Sequence, residues 1–569
     1  MQPARRDQIV SLLNNPGQRL DKSATSWHIK AMAKGIALPD IPEHEQTPVV
    51  KALLGIIEEL VVTVQRQEEE IQQLKDEVTI LKGEKKRPKF KPSKLDKDAG
   101  KDDDDQEKGG GAGKRPGSNK KSKTAKLKIH EEKIVPPSEE IPPGSRFKGY
   151  RDFVMQDLVI RAHNVRYRLA RWVTPDGRTL MGQLPESSRD SHYGPTLTSY
   201  ILYQHHQCQV TQPLLLEQLR EWGIDISSGK INDLLLADKE RFHEEKDALL
   251  TRGLAVSSHV TVDDTGTRHR GKNGYVTHIG NDFFAWFRST ESKSRINFLK
   301  LLRADHSDYR INDQALAYME QQKLPKVPLK HLHNHCGQIY ANEAQWEAHL
   351  QCLGITRARH RRIATEGALL GTILDHGFSP GLAIISDDAG QFNVLLHGLC
   401  WVHAERLVHK LIPLNEAHRQ DIASARNQIW SLYAELKEYK KHPTVEYKEE
   451  LQARFDVIFT QRTRFETLNQ TLKRIHRNKA ELLLVLERPD VPLHTNGSEG
   501  DIRDYVKKNK VSGGTRSDTG RRCRDTFTSL KKTCRKLGVS FWGYLIDRIS
   551  RANEIPPIAK LVELKAASP

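Results

Sequence analysis

Long apolar runs are absent from this chain. No stretch approaches the roughly 18 consecutive apolar residues that a bilayer-spanning helix requires. The first residues, MQPARRDQIVSLLNN, lack the apolar centre of a secretory signal. Cysteine is scarce: six in 569 residues, scattered, with none of the paired spacing of a secreted disulfide scaffold. Together these absences point to a reduced, cytoplasmic setting. Aromatic residues make up 7% and hydrophobic residues 37%, so the core is modest for the length. Surplus negative charge is missing too. Lys and Arg number 90 against 73 Asp and Glu, a formal net charge of +17. That balance favours a polyanionic partner, with nucleic acid first, over the plainer alternative of a solubilising surface.

The chain is too long for one core, so several domains are expected. Residues 1–45 form a mixed N-terminal segment broken by Gly17, Pro39 and Pro42. A heptad follows over 46–82. Val50, Ile57, Val64, Ile71 and Val78 fit position a; Leu53, Leu60, Gln67, Leu74 and Leu81 fit position d. β-Branched residues at a with Leu at d predict a parallel two-stranded coiled coil, hence a homodimer. Residues 83–145 are a basic and acidic linker that buries too little apolar area to order itself. Residues 146–192 read as a small β unit, with Pro175-Asp176-Gly177 as a hairpin turn. Residues 193–250 are helical and contain the plan of a helix-turn-helix. Leu215, Leu219 and Trp222 line one helix, Gly223 turns, Ser227 or Ser228 caps, and Ile231, Leu234 and Leu235 line the second helix. Many helical hairpins share that plan, so DNA recognition is one reading of it and packing is the other.

Three carboxylates carry the chemistry. VSSHVTVDDT and GLAIISDD read as strands ending in acids, at Asp263-Asp264 and Asp387-Asp388. Glu499 opens a basic helical segment. Carboxylates delivered to one point by separate elements hold hard divalent cations, Mg2+ or Mn2+, for phosphodiester chemistry. Three antiparallel strands, a helical stretch and a strand ending in Asp follow the order of a ribonuclease H-like α/β core.

Local words sharpen this. VDDT at 262–265, SDDAGQF at 386–392, CWVHAER at 400–406, HTNGSEGDIR at 494–503, KKNKVSGGTRSDTGRR at 507–522 and SLKKTCRKLGVSFWGYL at 529–545 resemble, in order, motifs of transposases of the insertion-sequence-sixty-six family. The resemblance runs from about residue 45 to 548. It implies a DDE-type DNA transposase of an insertion sequence, with Asp263, Asp387 and Glu499 as catalytic and metal-binding triad. Cleavage at element ends and 3′-hydroxyl strand transfer into target DNA follow from it. It divides the rest into a core over 251–405, a helical insertion over 406–490, and a completion with basic helices over 491–569. The family words choose Asp263 and Asp387 over their acidic neighbours. HTNGS replaces the family's DNN before Glu499, and YRLARW at 167–172 stands where a cysteine-rich ribbon would lie.

Arg503, Lys507, Lys508, Lys510, Arg516, Arg521, Arg522 and Arg524 are candidate phosphate contacts on double-stranded DNA, against a solvated basic face. Cys400 and His403 form a C-x-x-H better suited to packing than to metal. His335, Cys336, His349 and Cys352 have spacing compatible with zinc, without family precedent. Two other functions stay open at this level: a ribonuclease H-like nuclease that does not join strands, and a non-catalytic DNA-binding assembly protein. Accessory proteins of the same element are further candidate partners.

Overall fold

The computed structural model describes residues 127–184 and 192–567, together with Thr47, Val49, Val50, Ala52 and Leu53. The N-terminal segment, most of the heptad and the linker up to 126 lie outside the described residues; Val49, Val50, Ala52 and Leu53 are helical. The chain divides into two units, the first Val64–Asn164 and the second Met1–Thr63 with Val165–Pro569. Of the first unit, residues 127–164 form neither helix nor strand and are largely exposed.

The second unit opens with a hairpin of β1 (Arg171–Val173) and β2 (Thr179–Met181), paired Trp172 to Leu180. Gly177 supplies the positive φ, +82°, that closes its turn. The β unit expected over 146–192 is thus regular only between 171 and 181. Four helices follow: α1 (Pro195–His206), α2 (Gln212–Glu221), α3 (Ser228–Leu236) and α4 (Glu240–Val256). Between α2 and α3, Gly223 turns the chain at φ +74°, and Ser227 caps α3 by accepting from the Lys230 N–H at 3.1 Å. Leu215, Leu219, Ile231 and Leu235 are fully buried, so the apolar faces of this pair belong to the main core.

A five-stranded mixed sheet positions the acids. β3 (His259–His269), β4 (Lys272–Gly280) and β5 (Ala285–Thr290) form an antiparallel meander. Arg270 and Gly271, both at positive φ, make its first turn. At the second turn Asn281 accepts from the Phe283 N–H at 2.9 Å. A largely helical excursion follows: α5 (Arg295–Leu302), β6 (Tyr309–Arg310), α6 (Asp313–Gln321), α7 (Lys326–His333), β7 (Ile339–Tyr340), α8 (Glu343–Cys352) and α9 (Ala358–Asp375). The chain then returns as β8 (Ala383–Ser386), parallel to β3, and β9 (Leu396–Leu399), parallel to β8. The strand order is β5-β4-β3-β8-β9. β9 falls within the expected core stretch 251–405, but LHGL is too short to show a period in the sequence.

Seven helices in a row follow β9: α10 (Trp401–His409), α11 (Glu416–Lys441), α12 (Val445–Thr460), α13 (Glu466–Arg477), α14 (Lys479–Leu482), α15 (Leu484–Glu487) and α16 (Asn496–Ser512). The first six build a core of their own around Trp401, Phe455, Phe459 and Leu472. All four residues of β8 are buried, as suits a strand covered on both faces. Ile384 joins the main core and Ile385 the helical one, so the strand's alternation joins two cores. The chain ends in α17 (Asp518–Lys536), α18 (Phe541–Ser550) and α19 (Ile558–Ala567).

α17 closes the free edge of the sheet. The backbone N–H groups of Ala285, Phe287 and Ser289 donate to Thr533 Oγ1, Ser529 Oγ and Asp525 Oδ2 at 3.1, 2.9 and 2.7 Å. Two residues of strand span about 6.7 Å and four of helix about 6 Å, so every fourth side chain of α17 meets every second N–H of β5. An edge that would otherwise invite another strand is satisfied by side chains. Among the described residues no helix is long and apolar enough to cross a membrane.

Candidate active site

β3 and β8 are paired in parallel as far as Thr261 and Ile385. Asp263 and Asp387 each stand two residues beyond that pair, so they come at the same level. The strand carrying Asp263 does not end there, as its sequence suggests, but runs on to His269 against β4. What ends is its pairing with β8, and the carboxylate sits at that step.

Glu499 arrives from the first turn of α16. The neighbouring Ser498 is buried and donates to Thr261 Oγ1 of β3. Ile502 and Tyr505 pack on Val276 and Phe287 of the sheet. Asp501, 7% exposed, lies in reach of two cations, Lys532 at 3.4 Å and Lys536 at 3.0 Å, and of the buried His278 imidazole at 3.4 Å. Burial raises the pKa of its carboxyl, but hydrogen bonding to His278 and the nearby charges outweigh it and hold it well below the usual range. No spacing in the sequence marks Asp501; it is recognisable only once α16, α17 and β4 are assembled.

Burial pushes the Asp263 carboxyl up to about 6. The hydrogen bond from the Asp264 N–H, 2.7 Å, opposes this, and the negative charges of Asp387, Asp264 and Glu499 add to it. The three predicted carboxylates therefore share one electrostatic neighbourhood. Their acidic neighbours are otherwise engaged. Asp264 accepts from Gln391 Nε2 at 2.8 Å and pairs with Lys293. Asp388 meets Arg474 at 2.5 Å and Asn478 at 3.2 Å. Asp387 accepts from the Ala389 N–H at 3.1 Å, and neither it nor Asp263 has an ion pair among the described residues. The choice within each acidic pair, which strand parity leaves open, thus has a physical counterpart.

Glu499 is held by α10. Arg406 Nη1 and Nη2 lie 3.1 and 3.5 Å from its two oxygens, and His403 Nε2 lies 3.4 Å away. Cys400, buried beneath, bonds to His403 and Thr495; burial raises its pKa, and these bonds outweigh it and lower it. His403 is correspondingly raised by its bond to Cys400. The C-x-x-H thus lies under Glu499, with Cys400 in the core and His403 Nε2 facing the carboxylate. A cleft of about 470 Å³ opens beside Asp387, lined by residues of α10, α13 and α14 that include Arg406, Lys410 and Arg474. The sequence marked Arg406 only as the end of the family word at 400–406, without a role, and gave no sign of Lys410 or Arg474.

The basic C-terminal candidates divide into three groups. Arg503, Lys507, Lys510 and Arg516 are exposed. Arg521 pairs with Asp518 and Arg522 with Glu240. Lys508 and Arg524 are buried, which corrects their reading as phosphate contacts. Lys508 Nζ donates to the His205 carbonyl at 2.8 Å, and burial with the nearby Arg524 and Lys531 charges pushes its pKa down to about 7. Arg524 donates to Asn509 and to the Gly513 carbonyl, bracing the loop between α16 and α17.

The candidate zinc ligands do not converge. Cys336 donates to Asp313 at 3.7 Å, His335 lies 2.9 Å from the His331 carbonyl, and His335 meets His349 edge to face. Among the described residues, the His, Cys, Asp and Glu donors gathered within 4.8 Å of one another are His306, Asp308 and His376. Arg310 already occupies Asp308 and His376, at 2.5 and 3.0 Å, and the two imidazoles stack in parallel. Parallel rings point their lone pairs side by side rather than at one ion, so this cluster is a polar contact. The oxygens of Asp263, Asp387 and Glu499 do not all lie within that spacing.

Residues 347–522 match the family described as "Transposase IS66 family". The match takes in Asp387, Arg406 and Glu499 and begins after Asp263. The chain is also similar to the uncharacterized protein y4jO of Sinorhizobium fredii (strain NBRC 101917 / NGR234), at 42% identity over 321 residues. That alignment covers 56% of this chain and all of the relative.

Proposed function

The chain belongs to the IS66 family of transposases, and from that premise we propose that it cuts the ends of its insertion sequence and joins them to target DNA through a DDE site of Asp263, Asp387 and Glu499. The observation that carries this reading is the parallel register of β3 and β8. It sets two carboxylates level at one edge of the sheet, with Glu499 tied to the same strand through Ser498 and Thr261. The sheet order, a three-stranded meander followed by two parallel strands, supports a ribonuclease H-like core. The long helical block between β9 and α16 is the insertion into that core.

The donor set fits a hard divalent cation. It is all carboxylate oxygen, and a cation would offset the desolvation and like-charge repulsion that raise the Asp263 carboxyl. Mg2+ or Mn2+ held by Asp263, Asp387 and Glu499 would supply an activated oxygen nucleophile and charge neutralisation for in-line phosphoryl transfer. The chain's own residues do the rest. Gln391 and Lys293 hold Asp264, and Arg474 holds Asp388. Arg503, Lys507, Lys510 and Arg516 present exposed cations on and beyond α16 for DNA phosphates. The α2–α3 pair offers a unit for recognising element ends, and a coiled coil over 46–82 would pair two copies so that two ends are cut together. The setting is cytoplasmic. Zinc at His335, Cys336, His349 and Cys352 has no support in the donor geometry.

The test is a strand-transfer assay with Mg2+ and DNA carrying the element's own ends, wild type beside Asp387→Ala. Joined product from wild type alone is expected. Cleavage without joining would favour a nuclease, and equal product from both proteins would remove Asp387 from the chemistry.

A further inference from the structure

In the cleft beside Asp387 the walls are apolar, formed by Leu399, Leu407, Ile475 and Leu482, while Arg406, Lys410 and Arg474 supply positive charge. Two of these cations are held by carboxylates next to the cleft. Arg406 spans both oxygens of Glu499, and Arg474 meets Asp388. Two of the cleft's three cations are therefore engaged by acids, and Glu499 faces a guanidinium. Both pairs are solvent-accessible, with Arg406 44% and Arg474 58% exposed in their side chains. Such solvent-accessible pairs contribute little, so they exchange readily for a better partner. A phosphodiester is that partner: it accepts two parallel N–H bonds from a guanidinium and carries a full charge.

Building on the transposase reading, we propose that this cleft seats a backbone phosphate of the DNA strand, and that Arg406 is a positioning residue that exchanges Glu499 for that phosphate. The exchange frees Glu499 as an oxygen ligand while the phosphate holds Arg406 away. DNA binding and divalent-cation binding then strengthen one another, and the coupling is reciprocal. Lys410, one turn beyond Arg406 on the same side of α10, adds a second point of charge.

The test uses the full-length chain, a DNA duplex and Mn2+. Duplex binding is followed by fluorescence anisotropy across a salt series, and Mn2+ binding by electron paramagnetic resonance with and without duplex. R406Q and R474Q are each expected to lower the slope of log Kobs against log salt by roughly 0.9, the effect of one lost phosphate contact. In the DNA-free protein R406Q is expected to tighten Mn2+ roughly tenfold, within the ordinary range for coupled sites. R406K, which keeps the charge but cannot span two oxygens, should shift Mn2+ affinity the same way to a smaller degree. It replaces R406Q should that variant fail to fold. Unchanged salt slopes in both glutamine variants would overturn the phosphate seat. Unchanged Mn2+ affinity in the DNA-free Arg406 variants would overturn the exchange. The underlying reading fails separately: if Asp387→Asn leaves Mn2+ binding intact, the carboxylates are not the metal site, whatever the salt slopes show.

Discussion

Four acids in two adjacent pairs look alike in sequence, yet their surroundings differ. Asp264 and Asp388 are held by Lys293 and Arg474, whereas Asp263 is desolvated among like charges. Asp264→Asn should therefore weaken nicking only partially, while Asp263→Asn should abolish it and leave duplex affinity near wild type. A nicking assay beside a binding titration separates the two outcomes. Loss of binding in step with activity would make Asp263 structural. Buried cations make a second residue-scale prediction. The Lys508 pKa falls from 10.5 to about 7 on folding, mainly through burial. Between those values the unfolded chain binds the proton and the folded chain releases it, so this group makes stability rise with pH across that window. Lys508→Met should flatten the rise in denaturant unfolding between about pH 7 and 10. His205, pushed down to about 3 by burial and the nearby Lys508 charge, acts with the same sign lower on the scale. It stays neutral in the fold and costs stability as pH falls below its ordinary 6.5.

At the scale of elements, α17 is the least obvious in sequence and among the most consequential. Its serine, threonine and aspartate residues read as a polar helix face, but they stop the sheet at β5. Ser529→Val leaves the Phe287 N–H without an acceptor in a buried setting, at a cost of about 1–3 kcal/mol. Urea unfolding should show that loss, and Ser529→Thr, which keeps the hydroxyl, should show much less. α16 behaves similarly. Its apolar residues Ile502 and Tyr505 anchor it, and the Ser498 hydroxyl fixes the turn that carries Glu499. Short strands such as β6, β7 and β9 were invisible because two to four residues cannot display a period.

At the scale of the whole molecule, the site is divided among distant stretches. Asp263 and Glu499 are separated by the excursion between β5 and β8 and by a helical block with its own core. Such a split delays the site until both segments have folded, since chain closure must precede the contacts that reward it. Deleting residues 46–82 is expected to yield a monomer that still nicks DNA but forms little product joined at both ends. Sedimentation together with the transfer assay reads both consequences, and a dimer surviving the deletion would place the interface elsewhere.

The order of elements, the positions of three acids and the basic character of the C-terminal segment were legible in the sequence. They depend on local chemistry: period-two strands, capping serines, turn residues such as Pro175-Asp176-Gly177, and charge. The partners that engage Asp264 and Asp388 were not legible, nor was the burial of Lys508 and Arg524, the engagement of Glu499 by Arg406, or the closing of β5 by α17. Each of these depends on which side chain a residue meets across tens to hundreds of positions, and only packing sets that. Burial then decides whether a charge is solvated, paired or held off its ordinary pKa.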